Sequence, residues 1–510
     1  MGHILTPHTT IAYTGAGAWL WDNPSDLADN SGKGQPMLNT AIKASDVLKG
    51  LSKQTVFELE KKHGNRDLIR AIDYAHLSGP FEAVSPWELA DEEGTRRINA
   101  SGYAANPFGD RYPPLMEFVQ RYWRDSTSMG LPQQSLSEWR AALETNLVNL
   151  VAQYAPSHID SKVFFSNSGA EAIEAAIKFA KASRPHGTYF INFKRAFHGK
   201  TCGALSLTAN EESQGPFRPL AFETLTLPFG DLDAFEGALQ RKGADSIIGV
   251  VLEPIQGEAG VIVPPRDFLG GVDRLAKKHH IPVIVDEIQA GLGRSGYWVP
   301  SIEWGGMDPD IITFAKPLGG GLVPIGATVA RSAIFGKMLG GLHCKTHSNT
   351  FGGNSFAMAI GLKSLEILRE EDLASRSRQL GDKGLERLKS LAVNHPDLIE
   401  EVRGFGMWYA IQFHPVVPAV VAFGQDELIG EFTTFLGMMM IHQGGVHTNL
   451  ALNAQRTVRL TPPLTIPEEL FDTLFDRIEA AADKMKSASA MLIKTPPKSM
   501  MDLSRVALGL

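Results

Sequence analysis

A chain of 510 residues, 43% hydrophobic and 21% charged, has room for two or more domains around a large core and the balance of a soluble globular enzyme. Its net charge of -7 gives no basis for binding nucleic acid or an anionic membrane. Cys202 and Cys344 are the only cysteines and no CxxC occurs, which argues against a disulfide framework or a cysteine-rich zinc site and fits a reducing cytoplasm.

The first 80 residues read as an extension packed on the main body or on a partner subunit. The amino terminus lacks the basic and apolar regions of a signal peptide. Trp19, Leu20 and Trp21 form an aromatic cluster, followed by a polar run from Asn23 to Gln35. Val47, Leu48, Leu51, Val56 and Leu59 recur at helical spacing, so Ser45–Lys62 is a predicted helix. Trp87, Leu89 and Ile98 flank the turn Asp91-Glu92-Glu93-Gly94 and suggest a hairpin between Ser85 and Gly102. Amphipathic helices are expected over Pro113–Arg124 and Leu136–Tyr154.

Strands and helices then alternate. Strands are expected at Lys162–Phe165, Gly187–Phe193, Ser246–Leu252 and Ile281–Val285, with helices at Ala170–Ser183 and Gly270–His279. Unbroken Ile/Val runs between helices indicate an α/β fold with a mostly parallel sheet covered on both faces. After Phe351-Gly352-Gly353-Asn354 a long helix, Ser355–Glu370, opens an α+β portion with strands at Met407–Phe413 and Thr457–Leu460. The apolar window Val416–Phe423 contains Pro418 and is too short to span a bilayer. The expected division is an extension (1–80), a first segment of a small domain (81–135), a large domain (136–354), the rest of the small domain (355–486) and a tail (487–510).

The chemistry centres on Asp310-Ile311-Ile312-Thr313-Phe314-Ala315-Lys316-Pro317-Leu318-Gly319-Gly320-Gly321, an apolar strand that delivers one lysine to a glycine-rich turn. Lysine forms a Schiff base with a carbonyl once its charge is suppressed, although a lysine at a strand end is commonly only solvated. Upstream, Asp286 ends an apolar strand. Its carboxylate needs a partner, either a pyridinium N–H or an arginine such as Arg294. Ile288 could pack on a ring face and Gln289 reach a ring hydroxyl. Ser168-Gly169-Ala170 lies between a strand and a helix, as a plain N-cap or as a phosphate cup. Phe197 and His198 follow the next strand, as a stacking aromatic with its neighbour or as core and surface residues. Glu253 and Glu258 follow the Ser246–Leu252 strand at the sheet's carboxyl edge, where α/β proteins bind ligands. Lysine, strand-end aspartate and phosphate cup together suit pyridoxal 5'-phosphate (PLP), held by aldehyde, ring nitrogen and phosphate. No His/Cys spacing suggests a catalytic metal.

The segments SNSGAEAIEAAIKFA, AFHGKT, EPIQGEAGV, VDEIQAGLGRSG, AKPLGGGLVPIGA, NTFGGN and VRLTPPLT occur in the order found in class III aminotransferases, and from Ser85 to Lys486 the chain resembles that family. The resemblance implies a fold-type-I PLP enzyme. Lys316 would carry the cofactor through a Schiff base, Asp286 pair the pyridine nitrogen, Gln289 meet the ring oxygen and Phe197 stack on the ring. Ser168, Gly169 and Ala170 would hold the phosphate, with Thr350 of a neighbouring subunit, so a homodimer or a dimer of dimers is implied. Arg459 matches an arginine that binds a substrate carboxylate, with Glu253 and Glu258 beside it. Lys200 stands where many members have arginine, and the extension is unusually long.

The segments look most like the putrescine and ω-amino-acid group. The expected reaction moves the terminal amino group of a small-molecule amine donor to a 2-oxo acid such as 2-oxoglutarate or pyruvate. Two other readings use the same scaffold: an amino-acid racemase or epimerase, and a non-catalytic assembly protein, against which intact Lys316 and Asp286 argue.

Overall fold

Residues 42–74, 77–417 and 426–494 are described by the computed structural model. The Trp19–Trp21 cluster, the Asn23–Gln35 run, most of the Val416–Phe423 window and the tail beyond residue 494 lie outside the described residues. Ser45–Lys62 is not one helix but parts of two, Ala44–Val47 and Lys53–His63. Gly50 breaks the run at φ +89, and Ser52 caps the second helix by accepting the Thr55 amide at 3.2 Å.

The expected hairpin is part of a three-stranded antiparallel meander, β1 (Glu82–Ser85), β2 (Glu88–Ala90) and β3 (Arg96–Asn99). Asp91 builds the β2–β3 turn by accepting the amides of Glu93 and Thr95 at 3.1 and 2.9 Å. The helices Pro113–Asp125 and Glu138–Tyr154 follow, within a residue or two of expectation. The second begins late because Ser137, not Leu136, caps it.

Seven strands then build the large sheet: β4 (Lys162–Ser166), β5 (Tyr189–Phe193), β6 (Glu223–Leu227), β7 (Ile247–Leu252), β8 (Val283–Asp286), β9 (Ile311–Phe314) and β10 (Gly326–Ala330), in the spatial order β4-β10-β9-β8-β7-β5-β6. Neighbours pair in parallel except around β10, which runs antiparallel to both β4 and β9. All residues of β5, β7, β8, β9 and β10 are buried, as strands covered on both faces require. Alternation along β8 divides its side chains. Val283 and Val285 pack with Phe235, Phe268 and Val272 on one face, and Ile284 with Ile173, Ala176 and Phe179 on the other.

Beyond the helices Ser355–Glu370 and Leu373–Asn394, the smaller portion contains β11 (Ile399–Gly404), β12 (Tyr409–Phe413), β13 (Val446–His447), β14 (Asn449–Leu450) and β15 (Thr457–Leu460). The sheet order is β11-β12-β15-β14. β13 leaves this sheet and pairs in parallel with β3, Val446 opposite Ile98. No helix among the described residues is long and apolar enough to cross a membrane. Among the same residues no group of His, Cys, Asp or Glu is arranged to hold a metal ion. What positions the site is the carboxyl edge of the large sheet, where the chain leaves β4, β5, β7, β8 and β9.

Candidate active site

Each of those five exits delivers one or two of the residues singled out in the sequence. Ser168 follows β4, Phe197 and His198 follow β5, Glu253 follows β7, Asp286 ends β8 and Lys316 follows β9. Together they line one cavity of about 590 Å³, joined by Gly169, Ala170, Lys200, Ile288 and Gln289. That size suits a small cofactor with room for a substrate.

Lys316 sits in the turn after β9 at φ +32, a conformation that costs energy in a residue with a side chain. The glycines that follow absorb the tight geometry. Gly320 has φ +61, and a Cβ there would lie 2.8 Å from Ser364 Oγ. Part of Lys316 opens onto the cavity, but protein surrounds the rest of it. Burial therefore lowers its pKa from 10.5 to about 8, against the opposing charges of Glu258, Asp286 and Glu253 and with the help of Arg459. A lysine so placed is neutral in about a tenth of molecules at pH 7, far more often than an ordinary lysine, and a nucleophilic amine needs that neutral form.

Asp286 is buried, and a donor meets each of its oxygens. Oδ1 accepts the Ile288 amide at 3.0 Å and Oδ2 lies 2.8 Å from His198 Nδ1. The arginine considered as its partner is engaged elsewhere: Arg294 donates to the carbonyls of Met407 and Pro462 at 2.9 and 2.7 Å, and burial lowers its pKa to about 10. Glu253 accepts the amides of Phe197 and Gly257 at 3.0 and 3.3 Å. Burial first, and the nearby Asp286 charge second, push its carboxyl well above the usual range.

Gln289 leads from the cavity to a buried pair behind it. Its Nε2 donates to Glu258 Oε1 at 3.0 Å, and its Oε1 accepts from Arg459 Nη1 at 3.3 Å. Arg459 Nη2 lies 2.8 Å from Glu258 Oε1, an ion pair whose angle falls short of a hydrogen bond. Burial alone would raise Glu258, but Arg459 and then Lys316 more than offset it and hold its carboxyl below the usual range. Arg459 and Glu258 thus stand one layer behind the cavity wall and do not line it.

At the opposite end, Ser168 caps the helix Gly169–Ser183 by accepting the Glu171 amide at 3.1 Å. Its hydroxyl proton stays available, so capping and ligand binding are compatible. Among the described residues the amides of Gly169 and Ala170 have no hydrogen-bond partner. Two free N–H groups, a hydroxyl and the positive end of a helix dipole form a cradle for a phosphate. Thr350 is exposed and does not line this cavity; its carbonyl accepts from Gln133 Nε2 at 2.8 Å. Sequence reasoning missed Asn167, Gly199, Ala105 and the wall Leu322–Ile325. The first two adjoin recognised residues. Ala105 and the wall lack any chemical signal, since they contribute only shape.

The donor set fits PLP: a cradle of unpartnered amides, a buried carboxylate for a ring N–H, and a lysine with a lowered pKa for an aldehyde. The family model for aminotransferase class-III matches residues 84–482. The chain belongs to the class III aminotransferase family. It is accordingly a PLP-dependent transaminase. Solved structures similar to this aminotransferase include a PLP-bound amine transaminase from an uncultivated Pseudomonas species, 24% identical with a TM-score of 0.71 over 80% of this chain and 95% of that one. Ornithine delta-aminotransferase from Plasmodium falciparum is 26% identical (TM-score 0.68), over 86% of this chain and 99% of its own. Acetylornithine aminotransferase from Elizabethkingia anophelis is also 26% identical (TM-score 0.68), over 85% and 99%. The first of these likenesses bears on the fold alone.

Proposed function

We propose that this aminotransferase takes the terminal amino group of a diamine or an ω-amino acid and passes it to a 2-oxo acid such as 2-oxoglutarate or pyruvate. The observation that carries the choice of donor is the Arg459–Glu258 ion pair, 2.8 Å apart and buried. A donor with a carboxylate on its reacting carbon would have to displace Glu258 from Arg459. A terminal amine need not. The 2-oxo acid brings its own carboxylate, which can take the place of Glu258 on Arg459, where Nη2 is short of a well-aligned acceptor. The ornithine delta-aminotransferase among the similar structures supports the same reading by name.

PLP, when bound, supplies the electron sink for breaking the substrate's C–H bond. Lys316 would hold the cofactor's aldehyde, and its amine, once free, would serve as the general base and acid that moves the substrate proton. Asp286, fixed by His198 and the Ile288 amide, holds the proton on the ring nitrogen. Phe197 and Ile288, which line the cavity, would pack against the cofactor ring, and Gln289 would meet its ring oxygen. Ser168, Gly169 and Ala170 hold the phosphate. Thr350 reaches the phosphate of a second subunit, so the working unit is a homodimer or a dimer of dimers, in the cytoplasm. The division at residues 80, 135, 354 and 486 is proposed with it.

Lys200 lines the cavity with a point charge on a flexible stem, where a planar arginine fork would grip a carboxylate bidentately. Diamines are therefore the favoured donors. The test is a screen of amine donors against 2-oxoglutarate and pyruvate, with kcat/KM for putrescine and 4-aminobutyrate compared in wild type and Lys200→Arg. The substitution should shift preference toward the amino acid. A strong native preference for the amino acid, unchanged by Lys200→Arg, would refute the argument from this position. Inversion of a chiral amine without any acceptor would replace the transaminase reading by a racemase.

A further inference from the structure

The loop that carries Phe197, His198 and Lys200 into the cavity is held at three points. At its start, Glu253 accepts the Phe197 amide at 3.0 Å. In its middle, Thr208 Oγ1 accepts the His198 amide at 2.9 Å and donates to the Gly199 carbonyl at 2.8 Å. Its far end is held by Glu174, outside the cavity. A single oxygen, Glu174 Oε1, accepts from Thr201 Oγ1 at 2.6 Å and from the amides of Gly203 and Ala204 at 2.8 and 3.1 Å. Glu174 belongs to the helix Gly169–Ser183, whose first turn offers the free amides of Gly169 and Ala170.

We propose that Glu174 is a positioning residue that docks the Phe197–Thr201 loop, through the first turn of the helix Cys202–Leu207 that follows it, onto the phosphate-cradling helix, and so sets where Phe197 stands over the cofactor ring. The inference rests on the roles proposed for Phe197 and the cradle. One carboxylate ties the two parts that must grip the two ends of one ligand. The contact between those parts leaves no slack. Gly199 has φ +129, and a Cβ there would fall 2.7 Å from Ala170 Cβ and 3.0 Å from Ala204 Cβ. At Gly203 a Cβ would lie 2.3 Å from Glu174 Oε2. The loop and the helix are therefore in close contact, and the acceptor oxygen of Glu174 holds them so.

Removing an acceptor that three donors share leaves the seated loop less populated by about tenfold. A cofactor that binds only the seated form then binds about tenfold less tightly. The experiment compares holoenzyme of wild type, Glu174→Ala, Glu174→Gln and Gly203→Ala. The readouts are the PLP dissociation constant, the visible circular dichroism of bound PLP, and hydrogen exchange at the Gly203 and Ala204 amides. Glu174→Ala should weaken retention about tenfold, diminish the dichroism and speed exchange at both amides. Glu174→Gln should restore most of each, because its carbonyl oxygen can accept the same three bonds. Gly203→Ala breaks the same tie from the loop side and should copy Glu174→Ala, which keeps the test decisive if Glu174→Ala does not fold. Wild-type retention and dichroism in Gly203→Ala, or a Gln variant as impaired as Ala, would overturn the proposal. If exchange speeds up while dichroism and retention stay at wild-type values, Glu174 holds the loop but Phe197 does not face the ring, which overturns the ring assignment and leaves transaminase activity in place.

Discussion

Lys316 permits a thermodynamic test that needs no substrate. In the cofactor-free protein its pKa of about 8 lies below the ordinary lysine value of 10.5. A gap of that size corresponds to at most about 3 kcal/mol, and water in the cavity reduces it. The folded-state pKa is depressed, so between about pH 8 and 10.5 the unfolded chain binds more protons than the folded one. Stability from this group must therefore rise with pH through that window, and the full cost of the buried ammonium is present below pH 8. Lys316→Met keeps the stem and deletes the charge. Urea unfolding of apo wild type and apo Lys316→Met should show the variant more stable near pH 7 by up to about 3 kcal/mol, with the difference closing as pH approaches 10.5. In Glu258→Gln the opposing charge that most supports the ammonium is gone and Arg459 is no longer countered. The window should then open at lower pH. A wild-type minus Lys316→Met difference that is flat from pH 7 to 10.5 would refute the account of Lys316 as a lysine neutralised by burial.

Other substitutions separate the remaining roles. Lys316→Ala should lower turnover by at least about a thousandfold in freshly purified enzyme, since the other lysine of the cavity, Lys200, is exposed and not enclosed by protein as Lys316 is. Asp286→Asn should fold normally and slow proton removal from the donor by about a hundredfold or more in single-turnover kinetics, because an amide cannot stabilise a charged ring nitrogen. An unchanged rate of that step would make Asp286 purely structural. Thr350→Val should weaken PLP retention, and mixing it with Lys316→Ala chains should restore activity in verified heterodimers. No complementation would count against a site shared between subunits.

The local parts of this structure were legible in the chain. Ser355–Glu370 and Thr457–Leu460 fall where their periodicity places them, because hydrophobic spacing and an Asn354 cap are local signals. Family-like segments brought Lys316, Asp286 and Ser168 to one sheet edge. What the residues could not disclose were pairings across long stretches of chain. Asp286 pairs with His198 in addition to any ring nitrogen, and nothing near either residue in the chain announces that contact. Arg459 and Glu258 read as two substrate contacts, whereas in the fold each answers the other's charge. The antiparallel β10 was hidden because a short apolar strand looks the same in either direction.

The pairing of β3 with β13 has a consequence for how the protein is made. Ile98 and Val446 are neighbours in one ladder, yet the ribosome finishes the entire large sheet, through Ala330, before Val446 exists. Until then the outer edge of β3 is an open row of backbone donors and acceptors, the kind of edge that recruits other chains. Contacts so distant in sequence also form late. The nascent chain thus carries a finished cofactor half and an unguarded strand at the same time, and any truncation upstream of Val446 leaves that strand unguarded permanently. Amino-terminal fragments ending after β10 should accordingly be recovered as aggregates, and supplying the missing carboxy-terminal portion in trans during synthesis should rescue their solubility.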